Sequence, residues 1–235
     1  MITVDLVDHM GNDLRVANAA RVSFSKESKW DLVPSGEESG IPFVTLCNTK
    51  LSERDTKLIY YLARHGHWSP FSHCFLTFRI KAPLFVARQL AKHQVGLAWN
   101  EVSRRYVDSD PEFYKPDGWR KRAENVKQGS GDILRDKEHL NAAYAAFVGR
   151  ALGTYQGLLD QGVAPEMARM VLPQSMMTEW YWSGSLYAFA RVVRQRLDPH
   201  AQRETQDVAE LIDTECGKAF PISWKALMEK RHDRP

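Results

Sequence analysis

Hydrophobic positions recur along this chain in two rhythms. Ile2 to Val7 alternates apolar and polar residues, which predicts a short strand. Asp13 to Ala20 fits a helix. Residues 25–42 lose the rhythm, carry Pro34, Gly36, Gly40 and Pro42, and read as a surface loop. Ser52 and Asp55 resemble a capping box with Asp in the fourth place, and Leu58, Ile59 and Leu62 follow at helical spacing. That helix is expected to stop near Gly66. A compact turn, His67 to His73, leads into CFLTFRI, Cys74 to Ile80, whose aromatic and β-branched content predicts a strand. Pro83 suits the first turn of a helix running to about Val95 and ended by Gly96.

On a wheel turning about 100° per residue, Phe85, Arg88, Gln89, Lys92 and His93 share one half of that helix. Leu84, Ala87, Leu90, Ala91 and Val95 occupy the other half, with Gln94 a polar exception among them. One side packs and the other offers polar groups. Residues 107–135 are polar with little periodicity and read as an excursion or lid. Asp136 to Leu159 predicts a long helix with Leu140, Tyr144, Phe147, Ala151, Tyr155 and Leu158 along one face. Pro165 opens a short helix to Val171, stopped by Pro173. Met176 to Trp182 predicts a strand, Ser185 to Arg196 a helix, and LDPHAQRE a turn into a last long helix through Phe220. Helices dominate, no βαβ alternation appears, and no internal repeat is visible. The expected class is therefore α+β rather than a doubly wound parallel sheet.

Composition narrows the function classes. With 43% hydrophobic and 26% charged residues, the chain is an ordinary globular one. A net charge of +3 is too mild to imply nucleic-acid binding. Cys47, Cys74 and Cys216 are few and far apart; they suggest a reducing compartment and form neither a zinc pattern nor a disulfide framework. The start, MITVDLVDHMGND, lacks a basic region followed by an apolar one, and no run of about 18 apolar residues occurs. A cytoplasmic protein without a membrane partner is expected. GxGxxG after a strand, GxxxxGK[ST] and GxSxG are all absent, so Rossmann, P-loop and α/β-hydrolase chemistry lack support.

The candidate chemistry concentrates in RQLAKHQVGLAWNEVSRRY, Arg88 to Tyr106. Arg88 and Lys92 lie one turn apart without an intervening acid, and Arg104 and Arg105 add to the field. A solvated basic face is the bland alternative. Interleaved apolar residues and side-chain amides favour a phosphate-bearing, partly aromatic ligand instead. Asn100 and Glu101 could read a base edge or a sugar hydroxyl. Ser103 suits phosphate binding or capping better than nucleophilic attack, because no base adjoins it. His67 and His73 lack further ligands at metal spacing, so no metal is expected; His67 suits stacking on a planar ligand, with Ser69 as a phosphate donor.

These residues resemble the flavin-dependent thymidylate synthase family. KHQVGLAWNEVSRRY is similar to that family's signature, commonly written RHRxxSxNxxSxRY. HWSPFSH resembles its H-x-[ST]-PF-x-H turn, and APLFVARQ, AARVSF, ARMVLP and RLDPHAQ match in the family's order. The resemblance touches most of the chain from Ala19 to Gln202, outside the 25–42 and 107–135 excursions. It implies one α+β domain over residues 1–235, built on a mainly antiparallel sheet flanked by helices and assembled as a homotetramer with active sites at subunit interfaces. It implies FAD bound without a Rossmann motif, NADPH as reductant, methylenetetrahydrofolate as carbon donor, and conversion of dUMP to dTMP with no attacking cysteine.

Carried across by motif, the dUMP contacts are Gln89, Leu90, Ala91, Lys92, Glu101, Val102, Ser103, Arg104, Arg105, Arg169 and Arg196. Arg196 is the implied catalytic residue, contacting the uracil and favouring ionisation at N3. The FAD contacts implied are Ser69, Lys92, His93, Gln94, Glu101, Ser185, Tyr187, Arg191 and His200, with His67 stacking on flavin or folate. The chain departs from the pattern at four places. Lys92 and Gln94 stand where the signature has Arg, Arg191 replaces an Asn, and the segment between His93 and Asn100 is one residue longer. Lys cannot grip a phosphate bidentately and Gln carries no charge, so Arg88 is expected to supply part of the missing field.

Overall fold

The computed structural model describes residues 1–34, 47–106, 110–124, 129–135 and 137–229. These form an α+β fold with a mainly antiparallel sheet. The chain builds two compact units, each from three separate stretches, so no single cut in the sequence divides them. The first comprises Met1–Val7, Thr77–Ser183 and Val192–Ile212; the second comprises Asp8–Leu76, Gly184–Arg191 and Asp213–Pro235.

The first unit is organised on a four-stranded sheet. Its order is β1 (Thr3–Met10), β4 (Phe75–Pro83), β8 (Met177–Ser185) and β5 (Leu97–Glu101). Alternation in β4 and β8 decides which face packs. Phe78, Ile80, Trp180 and Trp182 are buried. Their intervening neighbours pair across strands: Thr77 and Ser183 share a hydroxyl hydrogen bond of 2.9 Å, and Arg79 meets Glu179 at 2.6 Å. The long helix α4 (Glu138–Asp160) buries Ala151 and Tyr155. Phe147, expected on the same face, is 49% exposed, and half-buried Val148 turns inward instead. The expected start at Asp136 lies outside the described residues.

The helix expected from Pro83 to Val95 is shorter. It runs only from Leu84 to Leu90 (α3), with Ala91 as its C-cap. The main chain then turns, Gly96 takes φ +77°, and Leu97–Glu101 joins the sheet as β5. Trp99 stacks on Trp180 with ring centroids 4.4 Å apart and meets Trp182 edge-on at 5.5 Å. An aromatic pair of this kind adds about 0.5–1.5 kcal/mol beyond its area burial, and it forms only when 97–101 is extended. Tertiary packing therefore overrides the helical rhythm. Val95, assigned to the packing side, is 72% exposed, and Lys92 and His93 do not continue the face of Arg88 and Gln89.

Two expected loops also contain strands. Asp31–Pro34 (β2) pairs antiparallel with Cys47–Lys50 (β3). Arg120–Arg122 (β6) pairs antiparallel with Ser130–Ile133 (β7), inside the 107–135 excursion. None of these four short strands carries an alternating pattern long enough to signal itself; each is fixed by a partner. The long helix expected to end near Phe220 is α7 (Arg203–Ala219), and a further short helix, α8 (Pro221–Met228), follows it, set off because Pro221 lacks the N–H that would continue α7.

In the second unit, α1 (Asp13–Arg21) starts where the Asn12 side chain accepts from the Arg15 N–H. Ser52 caps α2 (Glu53–Arg64) as expected, its Oγ accepting from Asp55 N at 3.1 Å, while the Asp55 carboxylate takes the Ser52 hydroxyl itself at 2.8 Å. Asp55 is 2% exposed and also receives Arg21 and Ser28. Buried Asp13 accepts from the N–H groups of Ile222 and Ser223, which caps the first turn of α8.

Candidate active site

In the first unit, α3, the strands β6 and β7, the end of α6 (Leu186–Arg196) and the turn before α7 bring polar side chains to a cavity of ≈ 500 Å³. Its walls include Gln89, Arg120, Ser130, Arg196, His200 and Gln202. Arg196 Nε donates to His93 Nε2 at 2.9 Å, and a second guanidinium nitrogen reaches the Gln89 carbonyl at 3.4 Å. Burial lowers the pKa of Arg196, because a guanidinium removed from water loses hydration. An anionic or electron-rich ligand would restore that loss. His200 is exposed and bonded to Asp198 at 3.0 Å.

A chain of side chains lies behind this wall. Gln89 donates to Gln202, Gln202 donates to Glu204 at 3.0 Å, and Arg120 donates to both Glu204 oxygens at 2.7 and 2.9 Å. Thr205 donates to Gln89 Oε1 at 3.2 Å. Burial alone would raise the Glu204 carboxyl, but hydrogen bonds from Arg120, its own main chain and Gln202 outweigh it and hold it below the usual range.

A second cavity in the same unit, ≈ 290 Å³, is lined by Glu101, Val102, Arg104, Arg169, Met177 and Thr178 among others. Thr178 Oγ1 donates to Glu101 Oε1 at 2.6 Å and Trp99 Nε1 donates to Oε2 at 3.2 Å, so the carboxylate is oriented from both sides. Val102 N–H donates to the Glu179 carbonyl, which ties the segment after β5 to β8. Arg169 follows the short helix α5 (Pro165–Ala168) and donates to the Glu166 carbonyl at 3.2 Å. This wall combines two guanidinium groups, one carboxylate and several methionines, which suits an anion with an attached apolar or sugar portion.

In the second unit, a cavity of ≈ 660 Å³ gathers Arg21, Lys26, Arg54, Tyr61, His67 and Ser69, among others. The His67 ring stacks on Tyr61 at 6.1 Å and 21°, and Tyr61 packs against His65 at 4.0 Å. Cations beside exposed aromatic rings suit a ligand with phosphates and a planar ring system.

The expected site residues thus divide. Gln89, Arg196 and His200 meet in the first cavity, with His93 bonded to Arg196. Glu101, Val102, Arg104 and Arg169 meet in the second, and His67 and Ser69 in the third. Ser103 and Arg105 bond each other at 3.1 Å, and the Arg105 guanidinium lies 4.9 Å over the Tyr106 ring. Leu90 is wholly buried in the core, and Ala91 is the C-cap of α3. Lys92, Gln94 and Arg88 are exposed and line none of these three cavities. Ser185 is buried, its hydroxyl accepting from the Ala188 N–H at the start of α6. Tyr187 lies 6.4 Å from Trp68, and Arg191 is exposed. Among the described residues no group of three His, Cys, Asp or Glu side chains could hold a metal ion.

Sequence reasoning missed Arg120, Ser130 and Thr178. The first two lie in a stretch without periodicity, and Thr178 reads as an ordinary strand residue. Gln202 carried a signal, since it ends the RLDPHAQ match.

The thymidylate synthase complementing protein family model matches residues 5–222. The chain belongs to the flavin-dependent thymidylate synthase family. This is a family of methyl-transferring enzymes. A flavin-dependent thymidylate synthase of Thermus thermophilus is 39% identical over 226 residues, covering 96% of this chain and 75% of that relative. One from Thermosipho africanus is 38% identical, covering 95% of this chain and 90% of that relative. Among solved structures, a UMP/dUMP methylase, PolB from Streptomyces cacaoi bound with 5-Br dUMP, superposes with TM-score 0.81 at 31% identity. It covers 100% of this chain, and 98% of that chain is matched. No helix among the described residues is long and apolar enough to cross a membrane.

Proposed function

We propose that this enzyme converts dUMP to dTMP, with methylenetetrahydrofolate as carbon donor and FAD reduced by NADPH. The flavin-dependent thymidylate synthase relatives and the dUMP methylase neighbour support the reaction class. The observation that carries the assignment is the division of the candidate nucleotide residues. Gln89 and Arg196 line one cavity, while Glu101, Val102, Arg104 and Arg169 line another in the same unit. A single nucleotide gripped by both sets is readily explained if one protomer presents the first set and another presents the second. A homotetramer with active sites at subunit interfaces is therefore part of the proposal.

In this reading Gln89 and Arg196 face the uracil, while Arg104 and Arg169 take the phosphate and Glu101 a sugar hydroxyl. Val102, Ser103, Arg105, Leu90, Ala91 and Lys92 complete the assigned contacts. FAD is assigned to Ser69, Lys92, His93, Gln94, Glu101, Ser185, Tyr187, Arg191 and His200, and His67 stacks on flavin or folate. The cations and rings around Ser69 and His67 fit a phosphate-bearing planar cofactor. FAD supplies hydride chemistry that no side chain can provide. The protein orients its ligands, and the half-buried Arg196 guanidinium stabilises negative charge developing on the pyrimidine.

Mixing two inactive variants tests this reading. Arg196→Ala and Arg169→Ala homo-oligomers should each lose dTMP formation. Subunits of the two, dissociated and reassembled together, should recover part of it, because some shared sites then contain no substitution. Recovery absent after proven subunit exchange would contradict a shared site.

A further inference from the structure

We propose that Glu204 is a positioning residue: acting through Gln202, it fixes which end of the Gln89 amide faces the pyrimidine and so sets the preference for uracil over cytosine. The proposal rests on the reading of Gln89 as a dUMP contact.

A side-chain amide is ambiguous, since its two ends are nearly the same size and one donates where the other accepts. Here the ambiguity is removed by an acceptor-only group at the end of a chain. Glu204 is 4% exposed and its oxygens already receive Arg120. Gln202 must therefore turn its NH2 towards Glu204, at 3.0 Å, which leaves its oxygen facing Gln89. Gln89 must then turn its own NH2 towards Gln202. Its oxygen falls to Thr205, a residue with no exposed surface, whose hydroxyl donates at 3.2 Å.

Reversing Gln89 would set oxygen against oxygen at Gln202 and turn its NH2 towards the donating hydroxyl of buried Thr205. The second Nε2 hydrogen is taken by the Phe85 carbonyl at 3.4 Å. Oε1, which keeps one lone pair, is the end with capacity left for a ligand in the ≈ 500 Å³ cavity. A fixed acceptor is complementary to a ring N–H, which uracil carries at position 3 and cytosine does not. The Arg120 ion pair contributes by keeping Glu204 an acceptor, and it links the excursion strand β6 to this function.

Calorimetric titration of the purified oligomer with dUMP and with dCMP tests the relay without requiring turnover. Wild type should prefer dUMP. In Glu204→Gln the end of the chain becomes ambiguous, Gln89 can reverse, and the dUMP-to-dCMP affinity ratio should fall about tenfold, the worth of roughly one hydrogen bond. Thr205→Val keeps the shape of the buried side chain while removing the donor that holds Oε1, and it should narrow the ratio in the same direction. A purely structural role for Glu204 would lower the melting temperature and weaken both nucleotides equally. An unchanged ratio in both variants would therefore overturn the relay. Gln89→Ala separates the two levels. If it loses the ratio while Glu204→Gln and Thr205→Val keep it, the relay fails and the dUMP reading stands. If it binds dUMP as wild type does, the assignment of Gln89 fails and the relay falls with it.

Discussion

Arg196 shows how much a single side chain draws from its surroundings. Its Nε is held by His93, its terminal nitrogen by the Gln89 carbonyl, and neither partner is an anion. A half-buried guanidinium without a counter-charge among these partners is poised to bind one. Replacing Arg196 with Ala should leave flavin content unchanged and reduce dTMP formation by several hundredfold or more, about the effect of losing a preorganised electrostatic donor. Steady-state rates alongside the flavin spectrum check this, and wild-type turnover in the variant would refute the role. The residue was legible in the sequence because it opens the RLDPHAQ motif. Its partners were less so. His93 lies beyond the end of α3, and the wheel that grouped it with Arg88 and Gln89 assumed a helix that the chain does not continue.

Elements were legible where local signals agreed with tertiary need. Ser52 and Asp55 predicted the start of α2, and the structure adds why Asp stands there in place of Glu. Its shorter side chain returns to Ser52 while also holding Arg21 and Ser28. Burial would raise the Asp55 carboxyl, but these hydrogen bonds hold it below its ordinary 3.8. A depressed folded value means that Asp55 contributes stability above the unfolded value and loses it as pH falls through the folded one. Asp55→Asn should therefore cost about 3 kcal/mol near neutral pH. Denaturant titrations should show the gap between variant and wild type closing below about pH 4. A gap that stays constant to lower pH would contradict this assignment. Elements failed to show where pairing is non-local. β2 with β3 and β6 with β7 lie in polar stretches without alternation, and β5 owes its form to the Trp99–Trp180 stack rather than to its own sequence.

At the scale of the whole molecule, the α+β class and the absence of a Rossmann glycine motif were both readable, and the family match spans residues 5–222. The interleaving of two units was not, because each is assembled from three distant stretches and no change of composition marks where the chain crosses. The division of the candidate nucleotide residues between two cavities was equally hidden: sequence motifs group residues by shared pattern, not by the wall on which each chain presents them.

The central claim, a flavin enzyme that turns dUMP into dTMP, is tested most directly by one anaerobic absorption experiment on the purified protein supplied with FAD. The account predicts a flavin band that bleaches with NADPH and returns when dUMP and methylenetetrahydrofolate are added together, with dTMP formed in step. A protein that takes up no FAD, or a reduced flavin left unchanged by both substrates, would contradict it.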